Sequence, residues 1–192
     1  MLCVGKKAPD IACEAVVHGI AKHFNLSSIV NKYKLLFFYP LDFTFVCPTE
    51  LHALQDRLED FTKRNVEVIA VSVDSVYSHQ AWLEVPRNKG GIAGVTYPLL
   101  GDITKNIARS YGVLNEELGV ALRGVFLLDK DNVVQYAAIN NLALGRNVGE
   151  LLRVVDALIH VQNVGEVCPA NWDTTQKAMK PNAQGLKEYF AS

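Results

Sequence analysis

The sequence has no excess of charge of either sign, because 19 basic and 20 acidic side chains in 192 residues leave a net charge of −1. A chain with this balance has no long-range attraction to nucleic acid or to an anionic membrane surface. It also lacks an apolar run of the roughly 18 residues that a transmembrane helix needs. Residues 1–10 contain no long apolar core after basic residues, which a secretory signal would have. We therefore expect a cytoplasmic protein that binds neither nucleic acid nor membrane.

Cysteine is sparse, with four residues at positions 3, 13, 47 and 168. These positions include no Cys-x-x-Cys pair and do not have the spacing of the disulfide framework of a small secreted domain. The five histidines do not combine with them as ligands, so we expect no metal site. A cysteine in a reducing compartment is by default an inert buried thiol, and Cys3 and Cys13 keep that interpretation.

The stretch around Cys47 departs from that default. Residues 35–39 are apolar and aromatic and predict a buried strand that Pro40 ends, and apolar residues at helical spacing follow from residue 51. Cys47 therefore lies where a strand passes into a helix. Pro48 suits the first turn of that helix because no backbone N–H is needed there. The unpaired amides and the dipole of a helix N-terminus favour a thiolate.

The helix terminus alone does not activate this thiol. Lowering a thiol pKa from about 8.5 to about 6 requires roughly 3.4 kcal/mol, whereas a helix terminus contributes about 0.3–1 and at most roughly 2 kcal/mol. A nearby cation must supply the rest. Arg123 opens an apolar strand, an unusual position for a charge unless it faces a partner, although a surface salt bridge is the alternative. Thr44 offers a hydroxyl to the substrate, and capping of the helix is an equally good interpretation of it.

The remaining pattern favours one α/β domain, since a chain of 192 residues that is 49% hydrophobic can bury a substantial core. A strand, a long helix and a second strand predict a βαβ unit with parallel strands, and a hairpin and an amphipathic helix ending at Gly165 follow. This order fits a thioredoxin-like mixed sheet flanked by helices, with residues 1–165 as the domain and residues 166–192 as a surface tail. The predicted strands are 8–13, 15–20, 34–39, 66–73, 96–100, 124–128 and 133–139. One helix is predicted to start at Asn25, and the other predicted helices span 44–64, 77–87, 104–111, 148–162 and 184–190.

The motif Pro40-x-x-x-Thr44-x-x-Cys47 resembles the active-site motif of the peroxiredoxins, which are thiol peroxidases with a thioredoxin fold. The longer string from Phe38 to Glu50 is similar to that of the typical two-cysteine group. Further segments resemble the same group, in order, along nearly the whole chain. They are residues 72–75, 81–82, 122–124, 145–146, 166–172 and 188–190.

This resemblance implies a role for each residue of the site. Cys47 is expected to be the peroxidatic nucleophile, whose thiolate attacks the peroxide O–O bond and becomes a sulfenic acid. The other expected roles are Thr44 as a hydrogen-bond partner of the peroxide, Pro40 as a shield from water, Arg123 as the required cation, and Glu50 and Arg146 as supports that hold Arg123 and the loop in place.

Cys168 lies in a Val-Cys-Pro-Ala-Asn-Trp segment that resembles the resolving motif of the same group. The resemblance implies that it attacks the Cys47 sulfenic acid of the partner subunit, so the protein is expected to be an obligate homodimer. The first turn of the Cys47 helix and the tail would then have to unwind for the sulfurs to meet. Ser78 lies in a segment that resembles the surface through which such dimers form decamers, although plain loop polarity would also explain it.

The expected reaction is the reduction of hydrogen peroxide and small organic hydroperoxides, with thioredoxin or an AhpF-like reductase as electron donor and with no redox cofactor. A dithiol reductase of the same fold would need Cys-x-x-Cys where this chain has Val46-Cys47-Pro48. A holdase chaperone or a peroxide-sensing relay is the non-enzymatic alternative. Members of the group that overoxidise easily have a Gly-Gly-x-Gly loop and a terminal Tyr-Phe pair. This chain has Tyr189-Phe190, but Ala93 takes the place of the last glycine.

Overall fold

The computed structural model describes residues 4–191, in which seven strands form one mixed β-sheet with helices flanking it. Cys3 lies outside the described residues. The sheet strands are β1 (Ala12–Val17), β2 (Ile20–Asn25), β3 (Tyr33–Phe38), β4 (Val66–Ser72), β5 (Leu99–Gly101), β8 (Arg123–Leu128) and β9 (Val134–Asn140), while β6 (Leu114–Asn115) and β7 (Val120–Ala121) form a separate small hairpin. The helices are α1 (Val46–Asp56), α2 (Leu58–Lys63), α3 (Val76–Glu84), α4 (Asn106–Ser110), α5 (Val148–Val164) and α6 (Ala183–Phe190). The order across the sheet is β2-β1-β5-β4-β3-β8-β9, which confirms the predicted thioredoxin-like α/β architecture.

The central βαβ unit is present, with β3 and β4 as parallel neighbours. The single helix predicted over 44–64 is wrong, because the chain is divided at Arg57, whose backbone (φ −116°, ψ 11°) leaves the helical region between α1 and α2. Leu54 of α1 and Phe61 of α2 are both fully buried. The break therefore aligns the apolar faces of two short helices on the same core.

The N-terminal hairpin lies further along the chain than predicted. Its turn is His18-Gly19, and both residues have positive φ (51° and 77°), which is the geometry that a two-residue hairpin turn requires. The prediction of strands at 8–13 and 15–20 relied on a weak apolar alternation and did not use this turn. The helix predicted from Asn25 is only a 3₁₀ turn, Leu26–Ser28, capped by the Asn25 side chain.

The second hairpin joins β8 to β9 as predicted, and β9 forms one edge of the sheet. β8 also pairs with β3 in antiparallel register, with Val125 opposite Phe37. This pairing puts the start of β8 beside the end of β3. The hairpin of β6 and β7 was not predicted, since each of its strands has only two residues. Three further elements are shorter than predicted: α3 ends at Glu84, β5 begins at Leu99, and α4 spans Asn106–Ser110.

The contacts of the chain divide it into two units, one ending at Arg146 and one beginning at Asn147. The second unit contains α5 and α6, and in the segment between them two backbone hydrogen bonds join Val167 to Met179. α5 ends at Gly165 as predicted, with a φ of +77° that glycine adopts without strain. The tail predicted from residue 166 onwards therefore shares its unit with α5. Within residues 4–191 no helix is long and apolar enough to cross a bilayer.

Candidate active site

Cys47 is the second residue of α1, which begins at Val46 after the N-cap residue Phe45. The side chain of Cys47 is fully buried. Pro48 follows within the first turn, where its missing N–H removes no helical hydrogen bond. The sulfur therefore lies at the positive end of the helix dipole and away from bulk solvent.

Arg123 is the first residue of β8, and its Nη1 lies 3.4 Å from the Cys47 Sγ. The same nitrogen donates to Glu50 Oε2 at 2.8 Å, and Arg123 Nε donates to the Leu142 carbonyl at 2.7 Å. The pairing of β8 with β3 explains this proximity, because the chain runs from the end of β3 through Pro40 into α1. Arg123 is buried, so its charge is little screened by water.

Glu50 is placed three residues after Cys47 on α1, and its carboxylate connects two arginines. It accepts hydrogen bonds from Arg123 Nη1 and from the backbone N, Nε and Nη2 of Arg146, at 2.8 or 2.9 Å. Burial lowers the pKa of Arg146, and the bonds to Glu50 oppose that shift. The guanidinium of Arg146 also lies over the Phe37 ring.

This cluster carries an excess of positive charge, because two guanidinium groups share one carboxylate. The side chains of Glu50, Arg123 and Arg146 are at most 4% exposed. An unbalanced charge in a buried position is costly. The arrangement therefore favours an anion at the position of the Cys47 sulfur.

A cavity of about 570 Å³ is lined by Thr44 and Arg123 together with apolar side chains. The Thr44 hydroxyl donates to the Leu41 carbonyl at 2.9 Å. Because the N-cap residue of α1 is Phe45, the interpretation of Thr44 as the capping residue is wrong. The structure thus brings the predicted residues Pro40, Thr44 and Arg123 to one cavity. Its other lining residues are Leu41, Phe45, Val46, Leu118, Val120, Leu142 and Ala143.

A buried polar network around Asp42 supports the segment that leads to Cys47, and the sequence reasoning missed it. The Asp42 carboxylate accepts hydrogen bonds from Tyr39 Oη at 2.8 Å and Ser78 Oγ at 2.7 Å, and it lies 2.8 Å from His79 Nδ1. Burial, and then the Asp42 charge, raise the pKa of Tyr39 well above its ordinary value. An acidic residue inside an aromatic, apolar run was the signal that could have indicated this network.

Ser78, which was predicted as an oligomer contact, lies in α3 and is half-buried. Because its hydroxyl donates to Asp42, plain loop polarity is a wrong explanation of this serine. The neighbouring Tyr77 is 78% exposed. The role of Ser78 in assembly stays a prediction.

Cys168 lies in the second unit and is half-buried, with its Sγ 3.7 Å from the Ala157 carbonyl. Burial raises its pKa, and the charge of Arg153 opposes that shift. Arg153 Nη1 also donates to the Trp172 carbonyl at 2.7 Å. Cys47 and Cys168 are both free thiols and lie in different units of the chain.

Cys13 differs from both of these thiols. Burial, followed by the charges of Asp102 and Glu14, raises its pKa to about 12, so it stays a neutral thiol at physiological pH. Among residues 4–191, no group of three histidine, cysteine, aspartate or glutamate side chains could hold a metal ion.

The loop over residues 90–93 requires glycine at both of its glycine positions, because Gly90 has a φ of +78° that other side chains rarely adopt. A Cβ at Gly91 would lie 1.9 Å from the Val85 carbonyl oxygen. Ala93 is accommodated, and its N–H donates to that same carbonyl at 3.1 Å. Near the C-terminal end of the described residues, the Tyr189 and Phe190 rings of α6 lie 5.3 Å apart.

The chain is similar to known proteins over nearly its whole length. Two family models match it, the AhpC/TSA family over residues 4–137 and the C-terminal domain of 1-Cys peroxiredoxin over residues 157–192. The chloroplastic 2-Cys peroxiredoxin BAS1 of Hordeum vulgare is 53% identical, over 98% of this chain and 90% of its own length. Peroxiredoxin-2 of Mus musculus is 48% identical, over 98% of this chain and 95% of its own.

A solved structure agrees with these matches. The reduced 2-Cys peroxiredoxin of Plasmodium vivax is 46% identical and superimposes with a TM-score of 0.96 over 98% of each chain. Together with the cysteine, carboxylate and arginine cluster at the start of α1, these likenesses show that the chain belongs to the AhpC/TSA family, among its two-cysteine peroxiredoxins, which are thiol peroxidases.

Proposed function

We propose that this chain reduces hydrogen peroxide and small organic hydroperoxides with Cys47 as the nucleophile and Cys168 of a partner subunit as the resolving thiol. The observation that carries the proposal is the Cys47 sulfur at a helix N-terminus, 3.4 Å from Arg123 Nη1. A thiolate at Cys47 balances the excess charge of the two guanidinium groups that share Glu50. Since sulfur carries the electrons, the reaction needs no redox cofactor.

In the first step the Cys47 thiolate attacks one peroxide oxygen, and the O–O bond breaks. The sulfur is oxidised to a sulfenic acid, and the leaving alkoxide or hydroxide takes up a proton to become an alcohol or water. The Thr44 hydroxyl and the Arg123 guanidinium line the same cavity and hydrogen-bond the peroxide oxygens as charge develops on them. Pro40 limits the access of water. Glu50 and Arg146 hold the Arg123 fork in position.

In the second step the Cys168 sulfur attacks the Cys47 sulfenic acid, water leaves, and an intersubunit disulfide forms. Cys47 is fully buried in the first turn of α1, so this turn has to unwind before another sulfur reaches bonding distance. A dithiol protein, either thioredoxin or an AhpF-like reductase, then reduces the disulfide and regenerates both thiols. We propose that this cycle operates in the cytoplasm.

The resolving step requires at least a homodimer, and we extend the proposal to a decamer of five dimers. Two features support association of the chain with its own copies. β9 is an edge strand with Ile139 48% exposed, and strand edges are sites of pairing. Near Ser78, the apolar side chains of Tyr77 and Phe43 are 78% and 57% exposed. The holdase and relay alternatives are not favoured by any feature that we describe.

Non-reducing electrophoresis after one equivalent of hydrogen peroxide tests the proposal. We expect a covalent dimer from the unmodified chain and from Cys13→Ser, and none from Cys47→Ser or Cys168→Ser. Full peroxide turnover by Cys47→Ser would eliminate the peroxidase assignment of this residue. A disulfide-bonded form in which α1 still begins at Val46 would contradict the unwinding step.

A further inference from the structure

We propose that Arg153 is a positioning residue for the resolving step, because it holds the segment that carries Cys168 against α5 and thereby sets the rate at which the disulfide forms. This inference rests on the proposed function and deepens it by naming a residue that controls its second step. It follows from the path of residues 166–172 along α5 and from the hydrogen bonds that Arg153 makes.

Residues 166–172 run along one face of α5, in the direction opposite to that of the helix. Because residues 153, 157 and 160 are spaced by four and by three positions, they lie on the same helix face. Each of them contacts the segment, and the three contacts are Glu166 Oε2 to His160 Nε2 at 3.1 Å, Cys168 Sγ to the Ala157 carbonyl at 3.7 Å, and the Trp172 carbonyl to Arg153 Nη1 at 2.7 Å. Cys168 is therefore held between one side-chain contact before it in the chain and one after it.

The contact after Cys168 is the shorter of these two and is made by a fixed donor. Arg153 Nε and Nη2 each donate to the Glu150 carboxylate at 2.7 Å, so the planar guanidinium is held in one orientation. Its third nitrogen, Nη1, is thereby directed at the Trp172 carbonyl. A hydrogen bond from a charged donor is stronger than one between neutral groups, although the 33% exposure of the Arg153 side chain weakens it.

Trp172 transmits this restraint to Cys168. Its side chain is only 3% exposed, and its ring lies 4.9 Å from the His160 ring. The Trp172 N–H donates to the Pro169 carbonyl at 3.2 Å and closes a turn in which Asn171 has a φ of +61°. Because Cys168 directly precedes this turn, it cannot move far while the turn is closed and bonded to Arg153.

Release of the segment decides between two fates of the Cys47 sulfenic acid. If Cys168 attacks, a sulfur–sulfur bond forms and water leaves. If a second hydrogen peroxide arrives first, its O–O bond breaks, the sulfur is oxidised to a sulfinic acid, and water leaves. In the docked segment burial raises the pKa of Cys168, although the charge of Arg153 opposes that shift, so the docked thiol is a poor nucleophile. Slow release therefore favours the sulfinic acid.

The test follows disulfide formation in a single turnover of the full chain with one equivalent of hydrogen peroxide. Arg153→Met keeps a long side chain and removes every donor. We expect the rate constant for disulfide formation to rise about fivefold, the effect of one partly exposed hydrogen bond. The rate constant for oxidation of Cys47 should stay the same, whereas general damage to the fold would lower both. In excess peroxide, the fraction of Cys47 found as sulfinic acid by mass spectrometry should fall.

Arg109→Met is the matched control, because Arg109 makes a similar two-bond pair with Glu116, at 2.8 and 3.1 Å, in the first unit of the chain. It should leave both rate constants unchanged. The alkylation rate of Cys168 in a Cys47→Ser background measures release by itself and should also rise about fivefold in Arg153→Met.

An unchanged rate of disulfide formation in Arg153→Met would overturn the role of Arg153 and leave the proposed function intact. This holds even if alkylation of Cys168 is faster, because docking would then not control the resolving step. If the unmodified chain forms no disulfide between Cys47 and Cys168, the proposed function itself fails, and this inference fails with it.

Discussion

The two cysteines that we propose to react with each other are held in opposite ways. Cys47 is fully buried, and the charged groups around it are joined by short hydrogen bonds to one carboxylate. Cys168 is half-buried, and its sulfur makes a long contact of 3.7 Å to a carbonyl, while backbone bonds hold its neighbour Val167. Under the proposed function, the attacking thiol needs a fixed electrostatic setting while it reacts with the peroxide, whereas the resolving thiol needs a segment that can be released.

The largest expected effect comes from disrupting the hydrogen-bonded cluster around Cys47. Arg123→Lys keeps the charge but cannot donate to Glu50, to the Leu142 carbonyl and toward Cys47 from one planar fork. We expect the rate of Cys47 oxidation by hydrogen peroxide to fall by about 10² to 10³. Arg87→Lys, at an exposed ion pair with Asp56, is the control and should leave the rate unchanged. A rate in Arg123→Lys equal to that of the unmodified chain would show that charge alone suffices.

The second prediction concerns stability and contrasts the ion pairs of the two units. Glu50→Gln leaves two buried guanidinium groups without their carboxylate and should lower the free energy of unfolding by about 3–5 kcal/mol. Glu150→Gln, in the partly exposed pair with Arg153, should cost less than about 1 kcal/mol. Urea unfolding of both variants measures the difference. Equal losses would mean that the Glu50 cluster is no more important to stability than a surface pair.

The third prediction uses Cys13 as a reference thiol for the other two. Its folded-state pKa is raised to about 12 from an ordinary value of 9.0, so above pH 9 the unfolded thiol ionises while the folded one does not. The contribution of this thiol to the free energy of unfolding is therefore fully present below pH 9 and is lost as the pH rises toward 12. Between pH 8 and pH 11, the free energy of unfolding should fall less steeply with pH for Cys13→Ala than for the unmodified chain. Parallel curves would contradict the raised pKa.

The smallest expected effect comes from removing a contact that restrains the segment around Cys168. His160 Nε2 lies 3.1 Å from Glu166 Oε2, and its ring lies 4.9 Å from the Trp172 ring, so it contacts both flanks of Cys168. Removing a partly exposed pair of this kind costs at most about 1 kcal/mol, so His160→Ala should raise the alkylation rate of Cys168 by at most about fivefold. His23→Ala, at an exposed pair with Glu14, is the control. If the alkylation rate of Cys168 does not change in His160→Ala, the Val167–Met179 hydrogen bonds restrain this segment instead.

The sequence predicted those parts of the site that depend on local pattern. Cys47 was placed at a helix N-terminus because the end of the strand, Pro48 and the helical spacing all lie within one short stretch. The contact between Arg123 and Cys47, which are 76 residues apart, came from the family resemblance, since periodicity gives no information about pairing over that distance. The break at Arg57 leaves no periodic signal either, because the apolar spacing continues across it.

The network around Asp42 shows why the rest could not be predicted. Asp42 is acidic and sits in an apolar run, yet its burial is possible only because Ser78 and His79, 36 and 37 residues later, arrive at hydrogen-bonding distance. The hairpin of β6 and β7 could not be predicted either, since its strands of two residues are too short for alternation to be detected.

The sequence by itself determined the strand that ends at Pro40, the helix start that contains Cys47, and the amphipathic α5 with its end at Gly165, because each follows from residues close together in the chain. The tertiary structure alone decided that two arginines share one buried glutamate beside the sulfur and that apolar side chains from two distant segments form one cavity. Those arrangements depend on which strands become neighbours in the sheet, and that choice is made by the packing of the whole core rather than by any short segment.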